Sequence, residues 1–474
     1  MTSAPAGSAA GPNQALQLLL DALGWRPETL ARKVNAALAL LPGETRRIHE
    51  KTPYRWLRRG QVPHAPLPDI VISVLSEALG ESVAFDQVWP AHRASRSLAW
   101  VPADHRLDVP WDGAGLLQLL KEWPGMLTRR RFAAISGALL TRPAWQWFDH
   151  SPPVIASTRG TGKVPGAVVT LIEDIVTKAQ QLDDQQGGAA AAFVADQFNC
   201  VGRVLRDESY DASTGKRLCV ALAQLAQTAG FMAYDTRRDG EAQRWYLAGL
   251  HAAQAAGDRA LAASILGLMS NQATTLGKMN DALQLASAAQ EACADAPAAV
   301  QALIAARSGL AFAAAGDLTS FRRTRDQALT MFDRAQAQQD RAPRWAGYVN
   351  RTELDAIAGR SLVALARCIP ARRAQLLLEA EDLLRDRALV DATSPYQRSA
   401  LRHGAWLSLA YTQAGDLDQA VAMGRRTLAR LPTVTSVRCV GLLRRLRDDL
   451  RPHANRVPEA RNLVADLDRQ LPAG

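Results

Sequence analysis

The amino-acid sequence predicts an all-α protein, built as a small N-terminal helical bundle followed by a long α-solenoid. Three observations predict this. Apolar residues recur with helical periodicity, and no stretch sustains an alternation of β-branched and polar residues. Glycine turns followed by aspartate or lysine return at intervals through the later two thirds of the chain. Eight of the eleven tryptophans (Trp25, Trp56, Trp89, Trp100, Trp111, Trp123, Trp145 and Trp147) fall in the first third, whereas the rest is alanine-rich, so two sequence regimes meet near residue 150.

A chain of 474 residues is too long for one core. Residues 1–12 carry no helical apolar pattern and read as a disordered tail. Residues 13–90 form the bundle. Residues 91–165 read as a helical connector and linker: 91–110 are polar and irregular, periodicity returns at Leu116, Leu117, Leu119 and Leu120, and 151–166 concentrate Pro, Gly, Ser and Thr. Residues 166–474 form the repeat domain.

In the bundle, Asn13 caps a helix carrying Leu16, Leu19, Leu20 and Leu23, and Gly24 ends it. A second helix starts at Pro27 and sets Leu30, Val34 and Leu38 on one stripe, with Arg32 and Lys33 projecting elsewhere. After a charged loop over 39–51 comes Thr52-Pro53-Tyr54-Arg55-Trp56-Leu57-Arg58-Arg59-Gly60, read as an N-cap threonine, a first-turn proline and a terminating glycine. Ile70, Val71, Val74, Leu75 and Leu79 supply a closing helix, and Phe85, Val88 and Trp89 cap the core.

The segment from Thr52 resembles the recognition helix of phage-repressor-like (XRE) helix-turn-helix proteins, whose members often read T-x-x-R-W followed by glycine. The resemblance implies Trp56 and Leu57 on the core, with Lys51, Thr52, Tyr54, Arg55, Arg58 and Arg59, and Arg32 and Lys33 of the second helix, as the residues that contact double-stranded DNA, because such a helix lies in the major groove. Between Arg26 and Arg59 nine basic residues stand against three acidic ones, a composition that suits contact with phosphates. The long loop before the third helix departs from the family's tight turn.

In the repeat domain the turns are Arg238-Asp239-Gly240, Gly257-Asp258, Gly277-Lys278, Gly316-Asp317 and Gly415-Asp416. Gly240, Gly277 and Gly316 are 37 and 39 residues apart. In residues 401–432, Leu407, Tyr411, Gly415, Ala420, Leu428 and Pro432 stand at the offsets of the tetratricopeptide signature, which this segment resembles, with Gly404 and Gly424 replacing its aromatic positions. Partial copies keep Gly309, Phe312 and Gly316, and Gly277, Ala282 and Ala289. Five or six hairpins are expected, stacking because one hairpin cannot bury its apolar face alone. Their concave surface suits a peptide, protein or small ligand, with Asn199, Arg203, Asn271, Gln272, Arg307, Asn350 and His403 as candidate lining residues, each equally readable as an ordinary solvent-facing position.

The remaining signals exclude rather than assign. The formal charge of +10 favours a polyanionic partner, although an arginine-rich composition also follows from codon bias. Five scattered cysteines without CxxC spacing indicate neither disulfides nor zinc, and the eight histidines show no metal-binding spacing. No metal, cofactor or catalytic residue is expected. Arg159–Lys163 lacks the first glycine, the Ser or Thr and the preceding strand of a phosphate loop. The twin-arginine look of Arg129, Arg130, Arg131 and Phe132 lies far inside the chain and reads as an amphipathic helix. No apolar run is long enough for a membrane span.

The combined architecture resembles bacterial transcription regulators that couple ligand or partner binding to DNA release, including actinobacterial regulators of development and antibiotic production. That resemblance implies a cytoplasmic, nucleoid-associated, non-enzymatic regulator acting as a homodimer, since one short helix reads few base pairs. The competing expectation is a scaffold whose N-terminal helices form another protein-interaction module.

Overall fold

The computed structural model describes residues 12–39, 46–64, 67–79, 83, 88–89, 109–127, 134–158, 162–186, 188–339 and 342–471. Phe85, the irregular stretch 91–108, Arg129 to Phe132 and Arg159 to Thr161 lie outside the described residues. Among the described residues the chain is helical, apart from two isolated bridges that pair Ser157 with Tyr210 and Lys163 with Ser209. No described helix is long and apolar enough to cross a membrane. The chain divides into two compact units, one of Met1–Asp108 with Ser136–Leu140, the other of Val109–Ile135 with Thr141–Gly474.

The first unit is a bundle of α1 (Gln14–Ala22), α2 (Pro27–Ala39), α3 (Thr52–Arg59) and α4 (Leu67–Leu79). Asn13 does more than cap α1. Its side-chain oxygen accepts from the Leu16 amide at 3.0 Å, its amide nitrogen donates to the Val88 carbonyl at 2.8 Å, and its backbone donates to Leu57 at 2.7 Å. One side chain therefore joins the start, middle and end of the unit. Leu16, Leu20, Leu30, Val34, Leu38, Trp56, Val71, Leu75 and Trp89 share one core, as the apolar stripes predict.

The second unit begins earlier than the sequence suggests. Of the expected connector, α5 (Gly113–Leu127) packs on the repeats through Trp123, whose ring lies 5.2 Å from Phe198 and 4.6 Å from Trp245, and Trp111 stacks on His251 at 3.9 Å. Trp111 and Trp123, which in sequence look like part of a separate regime, bury themselves against repeat helices. α6 (Ala138–Gln146) follows, belonging to this unit from Thr141 onward. The stretch read as a linker is tied down by reciprocal backbone bonds between Ser157 and Tyr210 at 3.0 and 2.8 Å.

Next, α7 (Gly166–Gln186) and α8 (Ala191–Asp207) pack on α9 (Ala212–Asp235), which pairs with α10 (Asp239–Ala256). Successive hairpins are α11 (Arg259–Thr275) with α12 (Met279–Ala292), α13 (Ala298–Ala314) with α14 (Leu318–Ala337), and α15 (Arg351–Cys368) with α16 (Arg373–Ala388). Two more follow: α17 (Gln397–Ala414) with α18 (Leu417–Leu428), and α19 (Val437–Leu450) with α20 (Pro458–Gln470). The first helices of neighbouring hairpins pack on one another, which makes a solenoid.

The glycine-aspartate pairs explain the turns. Gly257, Gly316 and Gly415 take left-handed backbone conformations, and Asp258, Asp317 and Asp416 then cap the next helix through their carboxylates. Gly240 was expected to belong to this set and does not: it is buried inside α10, and Arg237, at φ 60°, makes the reversal instead. Gly404 and Gly424 stand in place of aromatic residues because neighbouring helices come too close. A Cβ would lie 2.6 Å from Thr427 Oγ1 at the first and 2.6 Å from Leu463 at the second.

The solenoid turns back on its beginning. Arg398 of α17 pairs with Asp183 of α7 at 2.9 Å, Ser436 donates to Asp235 at 2.9 Å, and Arg438 of α19 donates to the Tyr234 carbonyl at 2.8 Å. The first helices thus surround an interior.

Candidate nucleic-acid interface

An eight-residue helix is marginal by itself in water, so α3 depends on its anchors. Pro53, Trp56 and Leu57 are buried, and full burial of a large apolar side chain contributes about 1.5–3 kcal/mol. The helix begins one residue before the sequence suggests, with Lys51 rather than Thr52 at the N-cap and Pro53 second, while Gly60 at φ 58° ends it. The preceding loop is pinned to α2 by a two-way amide bond, in which Asn35 Nδ2 donates to the Ile48 carbonyl and the Ile48 amide donates to Asn35 Oδ1, both at 2.8 Å. This clasp replaces the tight turn and was not visible in the sequence.

With that face covered, Lys51, Arg55, Arg58 and Arg59 are exposed, as are Arg26, Arg32 and Lys33 on or beside α2. None of these seven forms an ion pair within the described residues: Arg32 reaches the Thr29 hydroxyl, Lys33 lies over the Trp25 ring, and Arg58 lies over the Tyr54 ring at 5.7 Å. Arg58 and Arg59 also occupy the last turn, where the helix dipole favours cations. Thr52 is half-buried. Tyr54 is half-buried too, and its hydroxyl donates to Glu28 Oε1 at 2.7 Å. That bond, joined by Glu28's own backbone, holds the Glu28 carboxyl below its ordinary range and pushes the Tyr54 hydroxyl up. Tyr54 therefore fastens α3 to α2 with the polar atom that a base contact would use.

The expected groove residues separate into two sets. Asn199 and Arg203 lie on α8, half-buried and exposed, and join none of the contacts around the interior. Asn350 caps α15 by accepting from the Glu353 amide at 2.9 Å. Gln272 is buried and donates to Asp239 at 2.9 Å, which ties α11 to the start of α10. Arg307, also buried, donates to Ser264 at 3.1 Å and to the Tyr348 hydroxyl at 2.6 Å. Asn271 is buried beside Tyr234, whose hydroxyl bonds its carbonyl. His403 is fully buried, and burial, then the charges of Arg402 and Arg360, push its pKa well below the ordinary value. Gln272, Arg307, Asn271 and His403 are thus structural or interior groups, not solvent-facing ones, because a first helix in a solenoid is covered on most of its circumference.

Sequence reasoning missed Tyr234, Arg360, Arg402 and Arg438, which come together only because the solenoid turns back on itself. Among the described residues no cluster of His, Cys, Asp or Glu is placed to hold a metal, and all five cysteines are free. Burial pushes Cys219 up to about 12 and Cys439 up to about 11, so neither is a ready thiolate.

No curated protein and no solved structure matches the chain. One family model does: the SP15 N-terminal domain matches residues 16–88, nearly the same span as the bundle core from Leu16 to Trp89.

Proposed function

We propose that the protein is a DNA-binding transcriptional regulator, in which the N-terminal bundle is a helix-turn-helix domain and the solenoid senses a ligand. The carrying observation is the exposed cationic surface around α3, where Arg26, Arg32, Lys33, Lys51, Arg55, Arg58 and Arg59 form no ion pair among the described residues, on a helix whose apolar side is fixed by Trp56 and Leu57. Unpaired surface cations are the groups that release condensed counterions when they meet phosphates. In this reading Lys51, Thr52 and Arg55 face the groove, Arg32, Lys33, Arg58 and Arg59 meet the backbone, and Tyr54 positions the helix. The regulator works in the cytoplasm at the nucleoid, as a homodimer on two half-sites, because eight residues of helix read few base pairs.

The test is binding of the full-length chain to duplex DNA across a salt series. Arg55→Ala with Arg58→Ala should weaken binding and lower the slope of log affinity against log salt by about 1, roughly 0.9 for the phosphate contact of Arg58, while the loss of Arg55 from the groove lowers affinity with little change of slope. Unchanged affinity and slope in a folded double variant would remove α3 from the interface and leave the scaffold reading.

A further inference from the structure

Charged groups withdrawn from water need partners, and most buried arginines of the repeat unit have them. Arg398 pairs with Asp183 at 2.9 Å, Arg387 with Glu353 at 3.2 Å and Arg438 with Asp239 at 3.6 Å. Arg360 on α15 and Arg402 on α17 break the pattern. Neither has a carboxylate at ion-pair distance or a hydrogen bond within the described residues, and the Nε of each is sealed from solvent without an acceptor.

Their surroundings place them on the interior. The charges and phenols acting on Arg360 come from Arg402 of α17, Tyr234 of α9, Glu353 of α15 and Arg307 of α13, helices from both ends of the array. These groups stand on α9, α13, α15 and α17, first helices that pack on their neighbours and that the Arg398–Asp183 and Arg438–Tyr234 contacts close back on the start of the array, which places Arg360 on the interior side. Arg360 keeps some accessible surface although its Nε is sealed from solvent, as expected of a group lining an internal space rather than packed in a core. Burial and then Arg402 bring its pKa down to about 9, far below an ordinary guanidinium. Glu353, the carboxylate that acts on Arg360, is already held by Arg387 at 3.2 Å.

Two acceptors there are also unmet. The His403 Nδ1–H donates to the Ser399 carbonyl at 2.9 Å, so Nε2 carries a lone pair, and it finds no donor although the residue is fully buried. Asn271, 8% exposed, leaves Oδ1 without a partner. A buried polar group without a partner costs about 1–3 kcal/mol, which a bound molecule recovers by supplying the missing half of each bond.

We propose that the solenoid interior binds a small organic oxyanion, its carboxylate or phosphate lying between Arg360 and Arg402 and its own N–H or O–H groups meeting Asn271 Oδ1 and His403 Nε2. This deepens the regulator reading by naming what the repeats sense. Any effect on DNA rests on that reading, but the binding does not.

The experiment follows the thermal transition of the full-length protein in chloride, pyrophosphate and citrate at matched ionic strength. Pyrophosphate or citrate should raise the midpoint of the repeat unit beyond chloride, and the more effective of the two identifies phosphate or carboxylate as the preferred group. Arg360→Gln and Arg402→Gln should each weaken that response about tenfold or more, the loss expected for a charge-assisted contact. Without the anion both variants should melt at or above the parent, because each relieves a repulsion between unpaired charges; an arginine with only a structural role would lower the midpoint. The response should persist in Arg55→Ala with Arg58→Ala, which separates it from the basic surface of α3. No shift with either oxyanion relative to chloride, or folded Arg360 and Arg402 variants that respond like the parent, overturns the proposal. An intact anion response in a protein that fails to bind duplex DNA would instead count against the regulator reading alone.

Discussion

The two units use arginine in opposite ways. In the bundle, Arg26, Arg32, Arg55, Arg58 and Arg59 stand in solvent without carboxylate partners among the described residues, and Trp56 and Leu57 hold the helix that displays three of them. In the repeats, Arg387, Arg398 and Arg438 are withdrawn from solvent and joined to Glu353, Asp183 and Asp239. The contacts of Arg398 and Arg438 fasten helices more than 200 residues apart, since Arg398 meets Asp183 and Arg438 meets Tyr234. Charge on the bundle is therefore available to an outside anion, whereas most charge inside the solenoid is consumed in closing it. Arg360 and Arg402 lie inside the solenoid yet resemble the bundle's arginines in having no ion pair among the described residues.

The largest expected effect tests whether the bundle depends on its few anchors. Trp56→Ala removes the largest side chain of α3 from a small core, and such truncations cost about 3–5 kcal/mol, comparable to the whole stability of a unit this size. Calorimetry should show the bundle transition lost or strongly lowered while the repeat transition remains. Next comes the closing pair. Asp183→Ala leaves Arg398 buried without its carboxylate, a change that costs about 3–5 kcal/mol. Denaturant unfolding should show a lower midpoint for the repeat unit, and a loss under about 1 kcal/mol would mean that the pair is not needed to close the array.

Much of this contrast can be read in the sequence, but only where the cause is local. The caps at Asn13, Asp258, Asp317 and Asp416 and the turns at Gly257, Gly316 and Gly415 depend on neighbouring residues, and they are legible for that reason. The Leu30, Val34 and Leu38 stripe is legible because one helix face determines it. Gly240 misleads because a glycine beside an aspartate is placed inside a helix here, with Arg237 bearing the positive φ. Trp123 of α5 misleads because its partners, Phe198 and Trp245, are distant in sequence. The interior was illegible for the same reason: nothing local to Arg360 indicates that Arg402, Tyr234 and Arg307 will face it. At α3 the exposure of Arg55 and Arg58 follows from the stripe, whereas the Asn35 clasp and the Tyr54 bond do not.

A smaller effect on stability sharpens the comparison from the surface side. Arg55→Ala with Arg58→Ala should leave the bundle within about 0.5 kcal/mol of the parent, because neither guanidinium has an ion pair to lose. Thermal denaturation of the same protein used for DNA binding checks this directly. A loss of more than 2 kcal/mol would show that these arginines hold the bundle together, as Arg398 holds the repeats, and the contrast between the units would fail.

The smallest expected effect concerns the ionisable contact between Tyr54 and Glu28 that fastens α3. Glu28 keeps a lowered pKa mainly through the hydrogen bond from Tyr54, while the hydroxyl of Tyr54 is pushed up by the same bond. A carboxyl whose folded pKa is depressed contributes stability that is present above its unfolded value of about 4.3 and is lost as pH falls through the folded value. Tyr54→Phe keeps the ring beneath Arg58 and removes only the donor. Bundle stability in the variant should fall slightly at neutral pH and depend less on pH below about 4.5, because Glu28 then titrates nearer its ordinary range in both states. Melting the parent and the variant between neutral pH and acid measures the difference. Parallel pH profiles would mean that the Tyr54–Glu28 bond does not hold α3 in place, and that Trp56, Leu57 and the Asn35 clasp are sufficient to fix its direction.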